Sequence, residues 1–237
     1  MKLFKLAIMA ITAVILTFTY SCQQESVIDQ DYSDMPYLSL PESTDFDNLS
    51  MSEIEIIIGA YMRMGIYEDE DGLLQLKPHS GWEVNVSENL FQYVISILKK
   101  KNDDITSGIT ISHGNILSRA EGPNGSATDC LARAICAAKG LKSEEVDPWI
   151  ESTYGTGGVP SNQFYAAVSH FGNGRVVNPY VLENSGNTYR NAIVVINNGH
   201  AVNVSNVVGN TIYYWDYQNN WPGSIDASYI TQGFIYN

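Results

Sequence analysis

The chain has 237 residues, 44% of them hydrophobic, which is enough for one medium-sized domain with an extension. Its net charge of -13 argues against nucleic-acid phosphates as partners and against electrostatic docking on an anionic membrane surface. The simplest explanation of this acidity is that it keeps a secreted protein in solution.

Residues 1–21 have the pattern of a bacterial export signal. Lys2 and Lys5 precede the apolar run LAIMAITAVILTF, which is shorter than the roughly 20 residues that a membrane span needs. A small residue, Ser21, then stands directly before Cys22, and this arrangement resembles the lipobox of bacterial lipoproteins. We therefore expect a lipid on Cys22 and a location in the periplasm or at the cell surface, anchored in the outer membrane. Ordinary signal cleavage nearby, with Cys22 unmodified, is the alternative.

Residues 22–50 are polar and acidic and show no hydrophobic period. This composition predicts a flexible tether between the lipid and a folded domain. Acidic residues soon after the lipid-bearing cysteine also resemble the surface-export signals of some Bacteroidetes lipoproteins.

Residues 51–120 form the next segment, in which we expect two helices and some extended chain. Ser52 and Glu55 have the spacing of a capping box at the start of the first helix. Ser87 can cap the second, SENLFQYVISILKKKN, whose lysines gather at its C-terminal end. The segment is either an integral part of the fold or a pro-region that blocks a cleft. Its apolar helix faces need a partner, which favours integral packing.

The stretch SATDCLARAICAAKG predicts a helix with Asp129 as its N-cap and Gly140 at its end. Its many small residues predict that the helix is buried. Cys130 falls in the first turn, where free N–H groups and partial positive charge stabilise a thiolate. Cys136 fits the interior of the helix as a small hydrophobe. Because six residues separate the two cysteines by about 120° around the axis, we expect no disulfide between them.

The remaining chain predicts one more helix and several strands, and hence an α+β fold. The helix is PSNQFYAAVSHFG, capped by Ser161, and the strands are NAIVVIN, HAVNVSNVV, TIYYWDY and the tail ITQGFIYN. The chain has four histidines and neither a CxxC nor an HExxH motif. We therefore expect no metal site and no cofactor.

The second and third of these strands predict a hairpin that carries His200 and Asp216. A two-residue turn would place these side chains on opposite faces of the hairpin. A three-residue loop, Val208–Asn210, would place them on one face as diagonal neighbours, about 7–8 Å apart at the backbone. Asn210 tolerates the left-handed conformation of such a loop. We predict this loop, or a bulge with the same effect.

These segments together resemble the papain-like cysteine peptidases, in which a cysteine opens a central helix, a histidine opens a strand and Asp or Asn lies on the next strand. The closest likeness is to the bacteriocin-processing peptidases, which cut leader peptides after double glycine. NGSATDCLARAIC is similar to their cysteine motif, with Asn124 where they carry glutamine. HAVNV, with Asp216 sixteen residues after His200, is similar to their histidine motif. The likeness covers about Pro123 to Trp221.

The resemblance implies a domain over residues 121–237 in which a central helix packs on an antiparallel sheet. It implies that Cys130 is the nucleophile, His200 the general base and acid, and Asp216 the group that orients His200. Asn124 and the backbone N–H of Cys130 would bind the oxyanion. The substrate would be a peptide or protein, cleaved at peptide bonds. An amidase or acyltransferase acting on cell-wall peptides through the same triad, and a non-catalytic surface lipoprotein that uses the fold for binding, are the alternatives.

Overall fold

The computed structural model describes residue 32 and residues 34–107, 111–112, 115–116, 130–155, 158–178, 191–196 and 199–237. These residues contain five α-helices and a six-stranded antiparallel sheet. The fold class is therefore α+β, as the sequence predicts. In the described part of the chain, every helix is too short or too polar to cross a membrane.

Two helices and a small hairpin come first. Helix α1 is Met51–Arg63 and helix α2 is Glu88–Thr106, with strands β1 (Tyr67–Glu68) and β2 (Leu74–Gln75) between them. The capping box of α1 is formed by Ser50 and Glu53, and the prediction of Ser52 and Glu55 is wrong. Both pairs have the same spacing, but Ser50 is the residue whose backbone is extended just before the first turn.

The compact unit begins at Met35, inside the segment 22–50 for which the sequence predicts a tether. Leu38 forms a bridge with Val86, and Leu40 is only 5% exposed. The apolar residues of segment 22–50 are scattered and show no hydrophobic period, so the sequence gives no sign that Leu38 and Leu40 contact the folded unit.

Three helices follow the small pair of strands β3 (Ile111–Ser112) and β4 (Asn115–Ile116). They are α3 (Cys130–Lys139), α4 (Ser143–Tyr154) and α5 (Phe164–His170). Helix α3 ends at Gly140, which has a φ of +65°, as predicted. Ser161 does not cap α5, because a 3₁₀ turn, Ser161–Gln163, comes before that helix. The sequence patterns do not predict helix α4.

The main sheet consists of β5 (Gly174–Val176), β6 (Ala192–Ile196), β7 (His200–Val208), β8 (Thr211–Asp216), β9 (Trp221–Asp226) and β10 (Ile230–Tyr236). Its order in space is β5-β10-β6-β7-β8-β9, with antiparallel neighbours throughout. The four predicted strands are β6, β7, β8 and β10.

The two faces of this sheet contribute to separate clusters of buried side chains. Ile193 and Val195 of β6 pack with helices α3, α4 and α5, whereas Val194 packs with Val202 and Ile212 of the neighbouring strands. This alternation is that of a strand covered on both faces. Helix α3 lies against β6 and β7, so the helix that starts at Cys130 packs on the strand that starts at His200.

Candidate active site

The register of the β7–β8 hairpin determines which side chains share a face. The hairpin turns through two residues, Gly209–Asn210, and not through the predicted three-residue loop. Ser205 is an extra residue in β7, and the pairing shifts by one residue at this bulge. Beyond it, Asp216 lies on the same face as His200. The predicted loop is therefore wrong, and the alternative prediction of a bulge with the same effect is confirmed.

His200 and Asp216 form a buried hydrogen-bonded pair. Nε2 of His200 lies 2.8 Å from Oδ2 of Asp216, and the two residues are 6% and 3% exposed. A buried carboxylate without partners would be strongly destabilising, whereas one that is paired and hydrogen-bonded is tolerated.

The turn after β8 holds the carboxylate of Asp216 in place. Its Oδ1 accepts the backbone N–H groups of Gln218 at 3.0 Å and Asn219 at 3.2 Å. Its Oδ2 accepts the side-chain amide of Asn219 at 2.7 Å in addition to His200. Both oxygens therefore have two donors each, which fixes the orientation of the carboxylate. Asn219 is not among the residues predicted from the sequence, although the turn-forming sequence DYQNN is a signal that could have indicated it.

Cys130 is the second group that acts on the same imidazole, since a hydrogen bond with its side chain raises the pKa of His200. Nε2 of the ring is engaged with Asp216. Cys130 is the first residue of α3 and is partly exposed. No disulfide joins it to Cys136, as the sequence predicts.

The charge on the imidazole follows from these contacts. Burial would lower the pKa of His200, since it disfavours the imidazolium, but the charge and hydrogen bond of Asp216 have the opposite effect. The hydrogen bond and negative charge of Cys130 also raise it, and the result is a pKa of about 10 for His200. The ring therefore carries a proton at neutral pH.

Asp216 carries the negative charge that is paired with this imidazolium. Burial would raise the pKa of Asp216, but the positive charge and hydrogen bond of His200, together with the hydrogen bonds from Asn219, lower it below its ordinary value. Asp216 is therefore ionised wherever His200 is protonated near neutral pH.

Asn203 connects the helix and the strand that carry the sulfur and the ring. Its side-chain amide donates to the carbonyl oxygen of Ala134 at 3.0 Å, and Asn203 is only 5% exposed. Ala134 lies one helical turn after Cys130, and Asn203 lies on the same strand as His200. This bond therefore fixes the position of α3 relative to β7, which sets the distance between sulfur and ring. The sequence carries no signal for it beyond a polar residue in an apolar strand.

Three predicted positions, Cys22, Asn124 and Asp129, lie outside the described residues. Trp215 of β8 is 1% exposed and packs in the interior. Within the described ranges, no three His, Cys, Asp or Glu side chains are grouped as ligands for a metal ion.

Comparison with known proteins gives no match to this chain among protein-family models, curated proteins or solved structures.

Proposed function

We propose that the chain is a papain-like thiol hydrolase that cleaves peptide bonds with Cys130, His200 and Asp216. The observation that supports this proposal is that the imidazole of His200 bonds Asp216 through Nε2 and also interacts with Cys130. The packing of α3 against β7 supports it, since segments far apart in the sequence bring these groups together.

In the first half of the reaction, the thiolate of Cys130 attacks the carbonyl carbon of the peptide bond and a C–S bond forms. The proton on Nδ1 of His200 passes to the nitrogen of the leaving amine as the C–N bond breaks. Asp216 keeps the proton on Nε2 and holds the ring in the orientation that this transfer needs.

In the second half, His200 removes a proton from water, and the oxygen of the water attacks the acyl carbon. The C–S bond then breaks, the carboxylic acid leaves and the thiolate–imidazolium pair is restored. The backbone N–H of Cys130 and the side chain of Asn124 would bind the oxyanion in both halves. Removing one such donor lowers kcat by about 10²–10³-fold in comparable sites, which is the effect expected for Asn124→Ala.

The decisive experiment measures how fast iodoacetamide alkylates Cys130, in a background with Cys22→Ala and Cys136→Ala so that Cys130 is the remaining thiol of the three. We expect rapid alkylation at and below neutral pH, strongly slowed by His200→Ala. Wild-type reactivity no faster than that of an ordinary thiol would refute the proposal and favour a binding role.

Substrate class is tested separately with libraries of linear peptides and of cell-wall peptides. Cleavage of linear peptides by the wild type, and none by Cys130→Ala, is the expected result. Turnover confined to cell-wall peptides would indicate the amidase or acyltransferase alternative with the same residues.

We further propose that a lipid on Cys22 anchors the enzyme in the outer membrane, either in the periplasm or at the cell surface, without a cofactor. The observation that supports this proposal is the apolar run followed by TYSC. Mass spectrometry of the mature N-terminus tests this. Lipid-modified Cys22 as the first residue is expected, and an unmodified Cys22 or a different first residue would contradict it.

A further inference from the structure

A small cavity lies between helix α1 and the hairpin of β7 and β8. Its volume is about 30 Å³. Glu55 and Ile58 of α1 line it on one side, and Asn203, Ser205 and Trp215 of the hairpin line it on the other. A cavity needs about 10–15 Å³ to admit one water molecule, so this one has room for one or two.

Two of the lining side chains bury a polar atom that has no hydrogen-bond partner among the described residues. These atoms are the indole nitrogen Nε1 of Trp215, a donor, and the amide oxygen Oδ1 of Asn203, an acceptor. The two residues are 1% and 5% exposed, so bulk water does not reach these atoms. Leaving either atom unbonded would destabilise the fold, because it has given up its hydrogen bonds to bulk water.

The register of the hairpin places these two side chains next to each other. Asn203 pairs directly with Trp215 across β7 and β8, and directly opposite side chains share a face, with Cβ atoms about 4.5–5.5 Å apart. The amide nitrogen of Asn203 donates to the carbonyl oxygen of Ala134 in α3. Because that carbonyl can only accept, the nitrogen and not the oxygen of the amide faces it. Oδ1 therefore points away from this carbonyl, and the cavity is a space that Asn203 and Trp215 both line.

The two atoms determine the chemistry of an occupant that satisfies both. It must accept a hydrogen bond from the indole N–H of Trp215 and donate one to the amide oxygen of Asn203. A metal ion or an ammonium group cannot accept, and an anion cannot donate. A neutral hydroxyl does both, and water is the hydroxyl-bearing molecule that fits a cavity of about 30 Å³.

We propose that a buried water molecule occupies this cavity and bridges Trp215 to Asn203. Its second hydrogen bonds the carboxylate of Glu55, which lines the cavity from α1. The water then makes three hydrogen bonds, the number that is typical of buried waters. This inference goes beyond the proposed function and does not depend on it.

The bridge connects three elements of the fold. It joins α1 to the hairpin, and through Asn203 it is connected with Ala134 of α3, one helical turn after Cys130. Without α1, one wall of the cavity would be missing and both polar atoms would meet bulk water. The water site therefore favours integral packing of Met51–Arg63 over a pro-region that is removed on activation.

NOESY and ROESY spectra of the isotope-labelled full chain test this proposal with water itself as the probe. The chain carries Cys22→Ala, so that no lipid is attached. We expect a cross-peak between water and the indole N–H of Trp215, which Trp215→Phe assigns. It should have the sign of the diagonal in the NOESY spectrum and the opposite sign in the ROESY spectrum, which distinguishes a long-lived water from proton exchange. Trp82 is the internal control, because its side chain is 79% exposed and meets bulk water, so its indole N–H should give no such cross-peak.

Variants distinguish a bridging water from a neighbouring hydroxyl, whose proton also appears at the water frequency. Ser205→Ala and Tyr217→Phe remove hydroxyl groups of lining residues, and both should keep the cross-peak. Asn203→Leu removes the amide oxygen and should abolish it. Asn206→Leu is the matched control and should keep it, because Asn206 lies on the same strand but its amide donates to Sδ of Met62.

A wild-type spectrum without the cross-peak would overturn the inference. Its loss in Ser205→Ala or Tyr217→Phe would also overturn it, since a hydroxyl would then be the source, and so would its retention in a folded Asn203→Leu. If Asn203→Leu does not fold, the wild-type signal and the two hydroxyl variants still decide. Slow alkylation of Cys130 would refute the proposed function and leave the water site unaffected, because the spectra do not depend on catalysis.

Discussion

The two partners of His200 have very different surroundings. Asp216, which Nε2 contacts, is a buried carboxylate whose oxygens accept further hydrogen bonds from Gln218 and Asn219. Cys130, which also acts on the ring, is partly exposed at the first residue of a helix. In the proposed mechanism, the group that orients the base is therefore buried and fully bonded, whereas the attacking group is only partly buried.

Removing the accessible group should have the largest effect. Cys130→Ala deletes the proposed nucleophile while the buried pair remains, so we expect kcat for peptide hydrolysis to fall by about 10⁴-fold or more, with the thermal unfolding midpoint little changed. Steady-state kinetics and circular dichroism measure the two quantities. Appreciable turnover by this variant would mean that the sulfur is not the attacking atom.

Weakening the buried pair of His200 and Asp216 should reduce kcat less than removing Cys130. Asp216→Asn keeps the shape of the side chain but removes its charge and allows the wrong imidazole tautomer, so a loss on the order of 10²–10⁴-fold in kcat is expected. The pH profile of alkylation gives a second readout, since without the carboxylate the ring should lose its proton at lower pH. An unchanged profile would show that Asp216 does not act through His200.

The pH dependence of the free energy of unfolding tests the protonation of the buried His200–Asp216 pair, and this measurement needs no substrate. The pKa of His200 is about 10 in the folded state against 6.5 as its ordinary value, so the folded state holds the extra proton between these values. The stabilisation is complete below pH 6.5 and is lost as pH rises through about 10, with a slope of up to about 1.4 kcal/mol per pH unit.

Urea unfolding between pH 6.5 and 8 isolates this contribution when Cys130→Ala is compared with the double variant Cys130→Ala, His200→Asn, because neither protein then has a thiol proton at position 130 that could cancel the effect. The buried Lys101 begins to lose its proton, with the opposite sign, only near pH 8. The free energy of unfolding of Cys130→Ala should decrease over this interval relative to that of the double variant. Adding Asp216→Asn to Cys130→Ala should also flatten the slope. Parallel curves for all three proteins would contradict the assignment of the proton to His200.

The smallest effect is expected at Asn219. Asn219→Ala removes one of the four hydrogen bonds to Asp216, which is worth about 1–1.5 kcal/mol, or roughly tenfold in kcat. Asn219→Asp should be worse, because it replaces the donor with a second carboxylate that repels the first. Equal activity of the two variants would argue against a role for this amide in holding Asp216.

Elements of this arrangement that depend on local sequence patterns could be predicted, whereas contacts between distant segments could not. The helix at Cys130 and the strands at His200 and Asp216 follow from local patterns, and the bulge follows because only one register brings the pair together. Strand β9 is not predicted from the sequence because it contains Pro222 and Gly223, two residue types that are uncommon inside strands. Pro222 is tolerated on this edge strand, and Gly223 is required because a Cβ there would collide with the ring of Tyr214.

The long-range contacts could not be predicted from local patterns. Lys101 belongs to a run of three lysines that suggests a solvated helix end, yet α2 continues to Thr106 and this one lysine turns inward. Helix α4 is hidden by Pro148 in its interior, since proline usually ends a helix. In both cases tertiary packing outweighs local preference.

The bulge at Ser205 determines how many residues must separate His200 and Asp216 for their side chains to meet. With a two-residue turn, the sixteen positions from His200 to Asp216 bring the pair together only because one residue is left out of the ladder. A chain with the same turn but without that residue would keep the contact at a spacing one residue shorter. A common face for the two side chains, and not one absolute spacing, is therefore the property that distant relatives of this hairpin should share. A sequence search that demands a fixed interval would overlook the relatives that lack the extra residue.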